Sequence, residues 1–379
     1  MPNLIGAYGE WAAGLATDPP RLSFRRAEFR DVRTWQARAR TRLFDALLMP
    51  DTGGVPKAST QHIYNFDGVA IEQLSWQLPY GPPTEALFLR PRGVTGKLPA
   101  VIAMHDHGGQ KYFGTRKITR VADKLHPTME AHQEKYYGGV AWANALAKRG
   151  YAVLVPDAFA FGSRRVRYGD TAERLTHGFV EKNPESEEEI KRYNIFAGEH
   201  EHVMSKSLFS AGTTWPGVFV SEDQRALDYL CTRPDVDAAR IGVAGLSGGG
   251  LRTVMLTGVD SRIKCSVCVG MMTTWRDLVL NRSASHTWMM YVPGLPNDLD
   301  YPEIFGLNLP NPVMVLNNHD DGLFTVPEME RADRILREVY AKAGMADRYR
   351  MNFHPGPHKF DAEMQKDAFD WLDRWLKAS

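Results

Sequence analysis

The sequence predicts an α/β fold in which helices cover both faces of a mostly parallel sheet, an arrangement called doubly wound. Two observations support this prediction. From about residue 60 onward, short apolar segments bounded by proline and glycine alternate with segments of helical periodicity. The chain also has 379 residues, of which 43% are hydrophobic, enough to fill a large core. Because each helix returns the chain to the sheet in the same direction, most neighbouring strands should be parallel.

Residues 1–58 are interpreted as an N-terminal helical extension of a single catalytic domain, residues 59–379. Within the extension, residues 24–48 place several apolar side chains near one helical face and arginines elsewhere. These apolar side chains are Phe24, Val32, Trp35, Leu43 and Leu47. We expect this helix to pack on the main domain. The segment DTGGVPKAST, rich in glycine and proline, ends the extension.

The main domain alternates between the two patterns. The predicted strands, in chain order, are ALFLRP, LPAVIAMHDHGG, YAVLVPD, ARIGVAGLS, RIKCSVCVG, NPVMVLNNHD and RYRMNFHPG. The predicted helices are GGVAWANALAKRGY, SEDQRALDYLCTRP, GGGLRTVMLTGV, PEMERADRILREVYAKAG and FDAEMQKDAFDWLDRWLKA.

Residues 159–216 interrupt the alternation. Insertions longer than about 12–15 residues in a compact domain are usually functional or disordered. This one follows the carboxyl end of a strand, where α/β folds build their binding crevices. We therefore expect a cap over the functional site.

Charge and composition exclude several classes of partner. With 46 basic and 45 acidic residues, the net charge of +1 favours neither nucleic acid nor an acidic membrane surface. No apolar stretch approaches the ~20 residues of a membrane helix, and the first residues lack the pattern of a secretory signal. We predict a cytoplasmic protein with no nucleic acid or membrane partner.

The three cysteines do not form a disulfide framework, because their number is odd and small. Cys265 and Cys268 have the spacing of half a zinc or redox site. However, they lie inside the apolar run IKCSVCVGMM, and no second cysteine pair completes a metal site. We predict buried strand cysteines.

The segment Gly245-Leu246-Ser247-Gly248-Gly249 joins a predicted strand to a predicted helix. A nucleophile at such a junction requires a sharp turn, and small neighbours allow the chain to approach itself closely. The following helix supplies oriented N–H groups near a developing anion. Ser247 is therefore the predicted nucleophile, and a structural turn serine is the alternative.

A nucleophilic serine needs a base and an orienting acid, which follow in the chain order serine, acid, histidine. The acid should lie at the end of NPVMVLNN, where Asp320 and Asp321 compete. Asp321 is preferred because it precedes the turn Gly322-Leu323-Phe324, and Asp320 is the alternative. His358 is the predicted base because it lies between the last strand and the last helix.

The oxyanion of an acyl transfer needs two N–H donors. We predict Gly248, the residue after the nucleophile, and His107 from the glycine-rich loop 105–109. The triplets His105-Asp106-His107 and His200-Glu201-His202 also contain metal-ligand types, but no further ligand is identifiable for either. No metal and no cofactor is predicted.

Together these segments resemble a known group of enzymes. The matching stretches are PAVIAMHDHGG, YAVLVPDAFAFGSR, RALDYLCTRPDVDAARIGVAGLSGGG, YVPGLPNDLDYPEIFGLNLPNPVMVLNNHDDGLF and the His358 loop, and they span about residues 85–379. The chain resembles the dienelactone hydrolase and acetyl xylan esterase-like branch of the α/β-hydrolases. In that family the Asp-x-Leu-Phe turn carries the triad acid, which favours Asp321. Dienelactone hydrolases proper use a cysteine where this chain has Ser247, so the resemblance implies esterase chemistry.

We therefore predict a serine hydrolase that cleaves a small-molecule or carbohydrate ester through an acyl-enzyme. A peptidase or amidase, a zinc hydrolase and a non-catalytic binding protein are the alternatives. Five residues flank the predicted pocket as substrate-binding candidates, with packing or a salt bridge as the alternative role of each: Arg164, Trp215, Trp275, His286 and Tyr291. The sequence does not determine the acyl group or the alcohol of the substrate, nor whether the protein forms a homo-oligomer.

Overall fold

A computed structural model describes residues 2–176, 178–181, 183 and 185–377. The strands of this part are β1 Ser59–Phe66, β2 Val69–Trp76, β3 Thr84–Pro91, β4 Leu98–Met104, β5 Ala152–Pro156, β6 Val236–Leu246, β7 Ile263–Val269, β8 Val313–Asn318 and β9 Tyr349–His354. They form one nine-stranded sheet in the order β1-β2-β3-β5-β4-β6-β7-β8-β9.

Helices follow or separate these strands. The α-helices are α1 Gly9–Ala13, α2 Val32–Leu47, α3 Pro127–Tyr137, α4 Trp142–Lys148, α5 Glu173–Thr176, α6 Glu187–Glu199, α7 Glu201–Ser210, α8 Trp215–Thr232, α9 Gly248–Val259, α10 Trp275–Asp277, α11 Glu303–Gly306, α12 Val326–Lys342 and α13 Ala362–Leu376. Short 3-10 turns occupy Gly6–Tyr8, Thr115–Lys117, Gly162–Arg164, Tyr168–Asp170, Trp288–Met290, Leu295–Asn297 and Ala346–Arg348, and a π turn occupies Leu278–Arg282.

The sheet is mixed and mostly parallel, which confirms the predicted fold class. The pairs β5–β4, β4–β6, β6–β7, β7–β8 and β8–β9 are parallel. The pairs β1–β2, β2–β3 and β3–β5 are antiparallel. The hairpin of β1 and β2 was not among the predicted strands. Its turn contains Asp67 and Gly68, with φ of 48° and 78°. An Asp-Gly pair favours such a turn, so the sequence did carry a signal for it.

Successive side chains of the central strands enter two separate hydrophobic clusters, one on each face of the sheet. In β4, for example, Ile102 belongs to the cluster that includes residues of α2, α8, α9 and α12, whereas Val101 belongs to the cluster that includes residues of α4 and α13. The same alternation separates the two strand cysteines. Cys265 faces one cluster and Cys268 the other, and both are free and buried. The prediction of buried strand cysteines is confirmed, and the two thiols cannot share a ligand.

The N-terminal helix is present but shorter than predicted. Helix α2 begins only after Asp31, whose side chain accepts a hydrogen bond from the Thr34 N–H and so caps the helix. Phe24 therefore lies outside the helix, although its ring still contacts that of Trp35, at 4.9 Å between centroids. The helix packs on the sheet domain as expected, since Leu43 and Leu47 are fully buried in the larger cluster.

Helix α8 begins six residues earlier than predicted, at Trp215, because Thr214 caps it and Pro216 fits its first turn. The segment between β5 and this helix contains α5, α6 and α7. We refer to residues 159–216 as the 159–216 insertion. Among the described residues, no helix combines the length and the apolar composition needed to cross a bilayer.

Candidate active site

Ser247 occupies the sharp turn between β6 and α9. Its φ of 57° and ψ of −119° belong to a region that non-glycine residues rarely adopt. The turn depends on its glycines, because a Cβ on Gly249 would lie 2.2 Å from the carbonyl oxygen of Met104. The sequence thus folds into a strained strand-to-helix turn of the kind that presents a nucleophile.

His358 pairs with Asp321. Nδ1 of His358 lies 2.6 Å from Oδ2 of Asp321, and the other oxygen of this carboxylate accepts a hydrogen bond from the Leu323 N–H at 2.9 Å. Asp321 is only 4% exposed. A buried carboxylate on Nδ1 places the remaining ring nitrogen, Nε2, outward as a proton acceptor.

The same histidine lies beside the turn that carries Ser247. The Ser247 N–H donates to the carbonyl oxygen of Val269 at 2.8 Å, so the turn is joined to the end of β7. The next residue is Gly270, where a Cβ would lie 2.7 Å from Cε1 of His358. Glycine is therefore required at this position, and the imidazole lies over the carboxyl end of β7, the strand to which the Ser247 turn is joined.

Asp320, the alternative acid, has a different role in the structure. Its carboxylate accepts a hydrogen bond from the Gly356 N–H at 3.1 Å, and its own N–H donates to the Gly356 carbonyl at 3.2 Å. Asp320 thus supports the loop that carries His358 without contacting the imidazole.

Gly248 and His107, the two predicted N–H donors, lie together. A Cβ on Gly248 would lie 3.0 Å from the backbone nitrogen of His107. Gly248 is the first residue of α9, where N–H groups have no acceptor within the helix. Among the described residues, the His107 N–H has no hydrogen-bond acceptor either. Both amides are therefore available to a ligand beside Ser247.

Glu201 of the 159–216 insertion, which the sequence indicated only as a possible metal ligand, also contacts this region. One carboxylate oxygen lies 2.7 Å from Nε2 of His107 and 2.7 Å from Nζ of Lys111. The other accepts hydrogen bonds from Thr287 and from the Trp288 N–H. Nδ1 of His107 accepts from the Gly109 N–H, so Nε2 carries the proton and donates to Glu201.

The electrostatics of this cluster are consistent with that tautomer. Burial lowers the pKa of His107 more than Glu201 raises it, so the imidazole is neutral. Burial raises the pKa of Glu201, but the hydrogen bond from His107 and the charge of Lys111 outweigh burial and hold the pKa well below its usual value. An ionised carboxylate therefore fixes the His107 ring.

Two of the five substrate-binding candidates carry buried polar atoms that have no hydrogen-bond partner within the described residues. His286 is within electrostatic range of His107, His358, Glu201 and Asp321, and neither of its ring nitrogens has a hydrogen-bond partner within the described residues. Its ring stacks on Phe324 at 5.0 Å between centroids. The buried hydroxyl of Tyr291 is likewise unpaired among the described residues.

The other three candidates are buried in contacts within the protein, so the structure gives no support to their prediction as substrate-binding residues. Nη2 of Arg164 lies 2.5 Å from Glu222 and Nη1 donates to the Tyr80 carbonyl, with the side chain 1% exposed, so a substrate carboxylate cannot reach it. Trp215 is buried beneath Lys111, whose Nζ lies 4.8 Å from the ring centroid. The Trp275 indole donates to the Leu299 carbonyl and packs on Tyr301.

The two histidine-rich triplets meet through the hydrogen bond between His107 and Glu201, but their side chains do not surround a common point. Nε2 of His105 accepts a hydrogen bond from the Ala158 N–H, whereas His107 points to Glu201. Within the described part of the chain, no group of three or more histidine, cysteine, aspartate or glutamate side chains is arranged to hold a metal ion.

Comparison with known proteins identifies the architecture. A crystal structure from Bacteroides fragilis NCTC 9343, of a candidate acetyl xylan esterase, superposes with a TM-score of 0.67 at 20% identity, covering 93% of this chain and 83% of that one. The chain has the α/β-hydrolase fold.

Two further proteins are similar to this chain, one in structure and one in sequence. A glucuronoyl esterase from Solibacter usitatus shares the α/β-hydrolase fold with a TM-score of 0.61 at 14% identity, covering 91% of this chain and 94% of that one. In sequence, the chain is 28% identical to YtaP, a candidate hydrolase of Bacillus subtilis strain 168, over 309 residues that cover 81% of this chain and 88% of YtaP. No protein-family model matches the sequence.

Proposed function

We propose that this protein is a serine hydrolase that cleaves carboxylic esters, with acylated carbohydrates as the substrate class. The observation that carries the proposal is the juxtaposition of the strained Ser247 turn with the His358–Asp321 pair over the end of β7. A strained serine, a buried acid–imidazole pair and two free amides are the parts that acyl transfer requires.

In the proposed mechanism, Ser247 attacks the ester carbonyl carbon while Nε2 of His358 takes the hydroxyl proton. The Gly248 and His107 amides bind the oxyanion of the tetrahedral intermediate. His358 then returns its proton to the leaving alkoxide, which departs as the alcohol and leaves an acyl-enzyme. A water molecule, deprotonated by His358, releases the acid and restores Ser247.

Two observations favour a sugar ester. The unpaired nitrogens of His286 and the unpaired hydroxyl of Tyr291 suit a substrate that carries several hydroxyl groups. The structural neighbours named above are a candidate acetyl xylan esterase and a glucuronoyl esterase, and both names denote carbohydrate esterases.

The test compares the wild type with Ser247→Ala on p-nitrophenyl acetate, butyrate and octanoate and on acetylated xylo-oligosaccharides. We expect turnover by the wild type and a loss of several orders of magnitude in the variant. Ser221→Ala is the matched control, because Ser221 is also buried but donates to the Gly217 carbonyl within α8. A fluorophosphonate probe followed by mass mapping should label Ser247.

The outcomes separate the alternatives. If the probe labels Ser247 and the protein hydrolyses amides but not esters, it is a peptidase or amidase and not an esterase. An unlabelled Ser247 without turnover would contradict the serine mechanism and favour a binding protein. Turnover that survives in Ser247→Ala and is lost to a chelator would favour a zinc hydrolase.

A further inference from the structure

Lys117 carries a fully buried ammonium group directly behind the loop of His107. It ends the 3-10 turn Thr115–Lys117 and is 0% exposed. Its Nζ donates to the carbonyl oxygens of Asp106, at 2.6 Å, and of His107, at 3.0 Å. Since an isolated buried ammonium is strongly unfavourable, this group requires close partners, and two of them are carbonyls of the candidate oxyanion loop.

The geometry of one peptide bond links Lys117 to the active site. The Asp106 carbonyl and the His107 N–H belong to the same planar trans peptide and point in opposite directions. Because Lys117 binds the carbonyl, the N–H is directed away from Lys117. Gly248 lies close to this amide, because a Cβ on it would be 3.0 Å from the His107 nitrogen. Nδ1 of His105 also donates to the Asp106 carbonyl, at 3.0 Å, so the ammonium and this ring together fix the direction of the amide that would bind an oxyanion.

The charge of Lys117 is maintained by its surroundings. The Asp106 carboxylate lies 3.9 Å from Nζ, and the ring of Phe161 is 4.9 Å away. Burial raises the pKa of Asp106, but the charges of His132 and Lys117 outweigh it and keep this carboxyl ionised. Burial lowers the pKa of Lys117 to about 8, against the opposing effects of Asp106 and Asp157. The other charged or titratable groups that act on it are Lys111, Arg252, His105 and His107.

We propose that Lys117 is a positioning residue for the oxyanion hole, which orients and polarises the Asp106–His107 peptide so that the His107 N–H stabilises negative charge beside Ser247. This inference rests on the proposed function. A cation bound to a peptide carbonyl withdraws electron density from that peptide, which makes its N–H a stronger donor. Ground-state binding of the ester gains little from this effect, so kcat should depend on Lys117 more than KM.

The experiment measures ester turnover and the rate of fluorophosphonate labelling of Ser247 from pH 6 to 10, in the wild type, Lys117→Met and Lys342→Met. Methionine keeps an unbranched chain of similar length and removes the charge. Lys342 is the matched control, because its Nζ also donates to two carbonyls, those of Phe24 and Arg26, and lies 4.7 Å from the ring centroid of Phe24, in the N-terminal extension.

We expect Lys117→Met to lower kcat and the labelling rate by about 10- to 100-fold with little change in KM, while Lys342→Met matches the wild type. The sign of the pH effect follows from the charge. The wild-type rate should fall as the pH rises through about 8, where Lys117 loses its proton, and this alkaline decrease should be missing in Lys117→Met.

Each outcome decides between the two proposals. A wild type that labels at Ser247 beside a Lys117→Met variant with unchanged kcat and pH profile would overturn the role of Lys117 alone. No labelling of the wild type would overturn the serine mechanism and this inference with it. If Lys117→Met does not fold, Lys117→Gln is measured instead, because its amide can still donate a hydrogen bond but carries no charge, and a kcat equal to the wild-type value would overturn the role.

Discussion

Nδ1 of His358 lies 2.6 Å from the buried carboxylate of Asp321, whereas the carboxylate of Asp320, one residue earlier, binds the Gly356 N–H instead. One acid thus contacts the imidazole, and its neighbour supports the loop that carries it. This division of roles between adjacent residues leads to the first prediction.

Asp321→Asn should lower kcat by about 10⁴-fold with the fold intact, because an amide on Nδ1 no longer selects the productive tautomer of His358. Asp320→Asn is the matched control. It should lower kcat by less than 10-fold, because it only weakens the support of the loop that carries His358. Steady-state kinetics on p-nitrophenyl acetate would measure both. A larger loss in Asp320→Asn would assign the acid to Asp320, and equal losses would contradict a distinct role for Asp321.

Gly248→Ala should lower kcat by about 10²- to 10³-fold, because the new Cβ would lie 3.0 Å from the His107 nitrogen and displace one of the two amides. Gly198→Ala provides the control, since a Cβ there meets nothing within 4 Å on the exposed side of α6. The labelling rate of Ser247 is the measurement. A Gly248→Ala variant as reactive as the wild type would show that this amide pair does not bind the oxyanion.

Glu201→Ala should lower the free energy of unfolding by about 3–5 kcal/mol at neutral pH, because it leaves the buried Lys111 ammonium without its carboxylate. Glu188→Ala is the control, because it removes an exposed carboxylate that pairs with Arg192. It should lower the free energy of unfolding by less than about 1 kcal/mol. Urea denaturation measures both values.

The effect of Glu201 should depend on pH with a defined sign. The pKa of Glu201 in the folded protein is lower than its unfolded value of 4.5. Its contribution is therefore complete above pH 4.5 and is lost as the pH falls below that value. The difference between the wild type and Glu201→Ala should shrink in the same range. A difference that is constant down to pH 3 would contradict an ionised Glu201.

His286→Phe should raise KM for acetylated xylo-oligosaccharides about 10-fold more than KM for p-nitrophenyl acetate, since phenylalanine keeps the stack on Phe324 but cannot hydrogen-bond a sugar hydroxyl. Burial lowers the pKa of His286 to about 4, so the neutral ring acts throughout the range from pH 5 to 8. His319→Phe is the control, because His319 stacks on Phe353 in an exposed position. An unchanged ratio of the two KM values would remove His286 from substrate recognition.

The parts of the site that the sequence predicted are those with a local signature. The glycines around Ser247, the Asp321 turn and the His358 loop each lie at a strand end, where the order of the chain places them on one edge of the sheet. The burial of Arg164, Trp215 and Trp275 could not be predicted in this way, because it depends on partners from distant segments, such as Glu222 for Arg164. Lys117 had no local signal at all.

The ion pair between Glu201 and Lys111, together with the hydrogen bond to His107, ties the 159–216 insertion to the loop beneath it. This insertion is therefore not an exchangeable module. A chimera that replaced it with the corresponding segment of another hydrolase would leave His107 and Lys111 without their carboxylate. A replacement segment that is meant to change substrate selectivity must therefore place a carboxylate at the position of Glu201. Without it, the arrangement of His107 and Lys111 beside the active site would be lost.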